Sequence, residues 1–195
     1  MDCYSKSTCC FLFVLLLISQ FLLPTDSTIT LSTDDQLQFF VLMNNTLSGT
    51  SMSDWDINGG KPLCNFSGVA CDGEGFVVQL DISGRSLSGR FPANICSYLP
   101  ELRVLRLGGN SVRGGFPDSI TNCSLLEELS MPRLYLTGRL PDFSPMKSLR
   151  ILDLSYNLFV GKFPMSVFNL TNLEVINFNE NGNFNLWKMP RTYQG

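Results

Sequence analysis

The 195-residue chain has no histidine. It therefore lacks the imidazole base of Ser-His and Cys-His nucleophiles and the commonest metal ligand. It has no CxxC pair either, so the cysteines carry no zinc signature. Basic residues number 14 against 17 acidic, a formal net charge of −3. That balance gives no electrostatic support for binding nucleic acid or an acidic membrane surface. Long apolar runs are missing: the longest, Phe11–Leu23 (FLFVLLLISQFLL), is short for a bilayer span. Gly73-Glu74-Gly75 lacks the helix and further glycines of a nucleotide-binding loop, and reads as a turn before a strand. No cofactor is expected.

What the chain does have is a period. Pro92, Pro117, Pro141, Pro164 and Pro190 stand 25, 24, 23 and 26 residues apart, closing the phrases RSLSGRFP, NSVRGGFP, LYLTGRLP, NLFVGKFP and FNLWKMP. Self-similarity at such a spacing means one supersecondary unit stacked on copies of itself. Overlaid, the copies put Leu80, Leu105, Leu129 and Leu152 in one column and Ile82, Leu107, Met131 and Leu154 two residues later. Apolar residues two apart read as a short strand with one face inward. An Asn column follows (Asn110, Asn157, Asn181), whose amides are suited to satisfying backbone groups of adjacent turns. Arg85 and Leu134 interrupt it, so less regular turns are expected in repeats one and three. The fold class expected is an α/β solenoid, a right-handed leucine-rich repeat superhelix with a parallel concave sheet and an N-terminal helical cap.

The ends of the array differ from its middle. Residues 1–29 read as a signal peptide, with Lys6 as its positive charge, cleavage between Pro24 and Thr30, and a signal anchor as the alternative. No other stretch could cross a membrane, which places the chain in the secretory pathway, lumenal or extracellular. Residues 33–75 read as a cap covering the first repeat's apolar edge. Thr33-x-x-Gln36 fits a capping box, and Leu37, Phe40, Val41, Asn44 and Leu47 follow at helical spacing, with Trp55 and a cysteine loop behind them. Residues 76–195 hold about five repeats. The fifth is stretched and loses its Gly, no C-terminal cap follows, and the array reads as the front part of a longer protein.

Beyond the signal four cysteines remain, an even number that suggests disulfides. Cys64 and Cys71 bracket a short loop and are expected to pair. Cys96 and Cys123 sit in successive repeats, where a second bridge competes with a buried thiol at Cys123. Asn44, Asn65, Asn122 and Asn169 each open a glycosylation sequon. Asn122 and Asn169 fall five residues after their repeat's proline, a side whose glycans would leave the strand face bare.

The cap phrase WDINGGKPLCNFSGVAC followed by LxxLxxLxLxxNxLxGxφP repeats (φ apolar) resembles the plant extracellular leucine-rich repeat family over residues 33–195. ICSYLPELRVLRL, LYLTGRLPDFSPMKSLRILDLSYNLFVGKFP and LEVINFNENGNFNLWKMP resemble, more narrowly, the ectodomains of receptor-like kinases for C-terminally encoded peptides. The resemblance implies an extracellular recognition module of a plant receptor kinase at the plasma membrane. Its partners would be a secreted peptide on the inner strand face and a co-receptor kinase, and its kinase and transmembrane helix would lie elsewhere. The Arg-x-Arg pair by which such receptors hold a peptide carboxylate does not occur here.

Three columns are expected to point outward on the concave face. One is Asp81, Arg106, Ser130, Asp153 and Asn177. The next is Ser83, Gly108, Pro132, Ser155 and Asn179, and the third is Gly84, Gly109, Arg133, Tyr156 and Glu180. Their mixed polar character suits contact with an extended chain, or plain solvation. A glycosidase would need two carboxylates about 5–9.5 Å apart. Asp81 and Asp153, three strands apart, would be separated by roughly 14 Å. Catalysis by this chain is not expected. The alternative reading is a small secreted repeat protein that inhibits a cell-wall hydrolase from the apoplast.

Overall fold

A computed structural model describes residues 33–49 and 52–181, and side chains from residue 35. The signal segment, the Thr33 half of the capping box and the Pro190 phrase lie outside the described residues. Helix α1 (Thr33–Thr46) opens the cap, followed by β1 (Leu47–Ser48), a 3₁₀ turn at Leu63–Asn65 and β2 (Val69–Cys71). The repeats then alternate two kinds of strand. One kind is β3 (Val77–Asp81), β5 (Val104–Arg106), β7 (Glu128–Ser130), β9 (Ile151–Asp153) and β11 (Val175–Asn177). The other is β4 (Ser88–Gly89), β6 (Ser111–Gly115), β8 (Tyr135–Gly138) and β10 (Leu158–Phe159). A short helix α2 (Ile95–Tyr98) and 3₁₀ helices at Asp118–Asn122 and Met165–Asn169 return the chain to the next turn.

The first strand set makes a six-stranded sheet, β11-β9-β7-β5-β3-β2, parallel except for β2. Its register is in phase: Leu80 faces Leu105, Leu105 faces Leu129, and Leu129 faces Leu152. All four leucines, with Ile82, Leu107, Met131 and Leu154 behind them, are completely buried. A full-length Leu in such a column contributes about 2–5 kcal/mol against its truncation to Ala.

The second set makes a sheet that the sequence overlay did not anticipate, β1-β4-β6-β8-β10. Here the strands are out of phase: Gly89 pairs with Val112, not Gly114, and Arg113 pairs with Tyr135. The two-residue offset recurs between β8 and β10, where Leu158 pairs with Thr137, while the concave sheet stays in phase. A two-residue displacement keeps every side chain on its own face, because the strand period is two. Val112, Leu136 and Phe159 thus remain in the core.

The cap closes both sheets at once. β1 runs antiparallel on β4, and β2 runs antiparallel on β3. The buried face of α1 is Gln36, Phe39, Phe40 and Met43, continued by Leu47 in β1, whereas Val41 and Asn44 are exposed. This corrects the expected stripe, which was shifted because Gln36 breaks its apolar pattern. Gln36 reaches across to the first repeat. Its oxygen accepts the Val77 N–H at 2.8 Å and its amide donates to Gly75 O at 3.2 Å, tying the helix to the first repeat strand. Phe39 meets Phe91 and Tyr98 of the first repeat, and Phe40 meets Trp55 and Phe66 of the cap loop.

Cys64 is bonded to Cys71 across that loop. Cys96 is bonded to Cys123, so of the two readings for Cys123 the structure takes the bridge, between the convex segments of consecutive repeats. Cys123 keeps its core position, buried in the column of Leu99, Met146 and Leu170.

Candidate binding surface

The Asn column works as expected from amide chemistry. The Asn110 amide group donates to Ile82 O in the preceding turn and to Leu107 O in its own, while its oxygen accepts the N–H groups of Arg85 and Leu87. Asn157 repeats this with Met131 O, Leu154 O and the Leu136 N–H. The two interruptions have different consequences. Arg85 stands where no earlier repeat exists, and its guanidinium donates to the Ser67 hydroxyl of the cap at 2.7 Å. Leu134 is simply buried.

Repeat three is nonetheless regular, contrary to expectation. The turn residues Gly84, Gly109, Arg133, Tyr156 and Glu180 all have left-handed φ, between 54° and 69°. Their form is held by backbone bonds to the next repeat, such as Arg133 N–H to Ser155 O and Tyr156 N–H to Asn179 O, which need no amide side chain. Repeat one does carry an irregularity, a second left-handed residue at Ser86.

Those φ values also relocate the third outward column. Arg133, Tyr156 and Glu180 stand in the turns after the strands, at the rim between the two sheets, not on the concave strands. The Arg133 guanidinium lies 4.7 Å over the Tyr156 ring. With Tyr135 they wall an open cleft of about 470 Å³, floored by the small residues Ser86, Gly109 and Ser111. Tyr135 and Tyr156 are 54% and 48% exposed.

On the concave face proper, the first column is in register: Asp81, Arg106, Ser130, Asp153 and Asn177 occupy successive strands. Most of it is already engaged. The Arg106 guanidinium makes a two-pronged pair with Glu128, both contacts 2.6 Å, and a longer one with Asp81 at 3.4 Å. Hydrogen bonding to Glu128 is the main reason the Arg106 guanidinium sits above its ordinary value, with Asp81 adding to it. Burial alone would raise the Asp81 carboxyl. The Ser83 N–H and hydroxyl, with Arg106, outweigh it and bring Asp81 below the usual carboxylate value. The Asp153 and Asn177 oxygens accept the N–H groups of Ser155 and Asn179 two residues on, closing Asx turns. Ser155 and Gly108, in the second outward column, are buried.

The outward residues preceding the strand leucine were overlooked in the sequence. Glu128 is one, and the flanking pairs Arg103–Glu127 at 3.2 Å and Arg150–Glu174 at 2.8 Å join neighbouring repeats beside it. Strand alternation held the signal: positions i and i+2 share a face, so Glu128 belongs beside Ser130. The sequon residues Asn44, Asn65, Asn122 and Asn169 are all exposed, the last two at the ends of the convex 3₁₀ helices. Among the described residues no cluster of three potential metal ligands occurs. No described helix is long and apolar enough to cross a membrane.

A continuous leucine core under two sheets, closed at one end by a disulfide-pinned helical cap, is the architecture of a leucine-rich repeat protein. Family models agree, matching a "Leucine rich repeat N-terminal domain" at residues 33–72 and a "Leucine Rich Repeat" at 101–123 and 148–170. The chain thus carries the N-terminal domain and repeats of leucine-rich repeat proteins, and it is similar to the ectodomains of plant receptor kinases. Receptor protein-tyrosine kinase CEPR1 of Arabidopsis thaliana is 54% identical over 163 residues, 82% of this chain but 17% of CEPR1. The crystal structure of PEPR1-AtPEP1 superposes with a TM-score of 0.68 at 26% identity, over 76% of this chain and 22% of that one. A plant ice-binding protein superposes with a TM-score of 0.70 at 25% identity, over 76% of this chain and 48% of its own.

Proposed function

We propose that this chain is part of the extracellular recognition module of a plant receptor-like kinase, presented to the cell exterior and binding a secreted peptide, a co-receptor kinase or both. The 54% identity to CEPR1, carried through cap and repeats alike, is the observation that supports this most. The solved PEPR1-AtPEP1 complex supports the same class of partner. The chemistry of phosphoryl transfer belongs to other parts of such a receptor, and the repeats contribute binding alone.

The concave face suits that role as a prearranged surface. Arg106 and Asp81 are committed to neighbouring side chains, so a ligand meets a rigid pattern rather than free charges. Ser130 and the outer oxygen of Asp153 are the groups left to contact an extended chain. The secreted chain, titrated with a C-terminally encoded peptide and with its scrambled counterpart, tests the reading. Saturable binding of the first, abolished by S130R/D153R, is expected. Equal affinity for the scrambled peptide would sink it.

A further inference from the structure

The geometry points to the outward face of the second sheet as a docking surface for an acidic oligosaccharide, a linear chain of sugar carboxylates lying across the strands. Arg113 faces Tyr135 in the ladder, and Gly89 faces Val112, which sets Arg90 level with Arg113 on the neighbouring strand. Both arginines are exposed and neither has an ion pair among the described residues. Like charges directly opposite on adjacent strands are destabilising, so the arrangement awaits an anion. The same line runs on into the exposed rings of Tyr135 and Tyr156, with Arg133 stacked over the latter.

The surroundings are one-signed. Residues 84–91, 109–116, 133–140 and 156–163 contain no Asp or Glu, although the whole chain is net negative. Arg139 and Lys162 extend the exposed basic character along the same sheet, and the Arg139 stem lies close over Gly161. None of the four sequons falls in these segments, so no glycan attached there springs from this face.

Spacing and chemistry select the occupant. Neighbouring strands step by about 4.8 Å, whereas an extended peptide repeats same-side groups every 6.6–6.8 Å or so. A peptide therefore falls out of step with the ladder, while a chain with one carboxylate per sugar ring offers a charge for each Arg. Planar guanidinium groups match carboxylates in two-pronged fashion. Solvent-facing Tyr rings offer flat platforms for sugar rings, and the Ser86 and Ser111 hydroxyls line the cleft beside them.

The test titrates the secreted chain with de-esterified oligogalacturonate, with its fully methyl-esterified form, and with an oligoglutamate of equal charge. The free acid is expected to bind in a salt-sensitive manner, at least tenfold more tightly than the other two. R90Q/R113Q should weaken it at least tenfold and Y135S severalfold. The concave variant R150Q should leave affinity unchanged, and neither R90Q/R113Q nor Y135S should have a lowered melting midpoint. If the double variant fails to fold, R113Q alone carries the test. Absence of binding overturns the proposal, as does equal binding of the ester or an equal loss in R150Q. Oligoglutamate binding as tightly as the sugar acid overturns it in favour of an acidic protein partner.

Discussion

The two sheets are built by the same repeats, yet they treat charge in opposite ways. On the concave sheet three arginines among the described residues have an acidic partner one repeat away: Arg103 with Glu127, Arg106 with Glu128, Arg150 with Glu174. On the second sheet Arg90 and Arg113 stand level on adjacent strands with no acid in their segments. Register explains part of this. In-phase strands bring identical repeat positions side by side, which partners Arg103 with Glu127 and Arg150 with Glu174, while Arg106 reaches diagonally to Glu128. The two-residue displacement of the second sheet places different repeat positions together, and there Arg meets Arg and then Tyr. Charges on the concave side fasten repeats to each other, while those on the other side are left for something outside the chain.

The largest effect expected is on what joins the two sheets. Asn110 sits at the turn between them, and N110A strands two N–H groups and two carbonyls in a buried site. A loss of about 3 kcal/mol or more in denaturant titration is expected. Next comes the concave side itself. R106A leaves Glu128, whose side chain is 16% exposed, without its partner, and should cost about 1–2 kcal/mol after solvent screening.

A smaller effect appears in acid. The Asp81 carboxyl is lowered in the fold from its ordinary 3.8, so its contribution is present above that value and disappears as pH falls through the lower, folded one. Urea midpoints measured from pH 5 down to about 2 should therefore fall less steeply in D81N. Smallest of all, R139Q and R113Q on the second sheet should change stability by no more than about 0.5 kcal/mol. A drop as large as that of R106A would erase the contrast between the two faces.

Much of this architecture could be read from residue spacing. The Leu80 and Ile82 columns, the Asn amides, the cap and the concave register all follow from periods of two and of about 24 residues. Other features misled for identifiable reasons. Gln36 hid the buried stripe of α1, because a polar side chain that bonds to a strand 41 residues away looks like an exposed position. Leu134 suggested an irregular turn that the backbone bonds to repeat four make regular. The residues leading into GxφP, such as Ser88, Ser111 and Tyr135, carried no strand signal of their own, and their strands became visible only beside their neighbours.

By itself, then, the sequence determined which residues of the described repeats face the core, because burial recurs with the chain's own period. Only the tertiary structure decided which repeat positions become neighbours in each sheet, and with them which charges are paired and which are free. Register is a relation between turns of the coil. No single repeat contains that information.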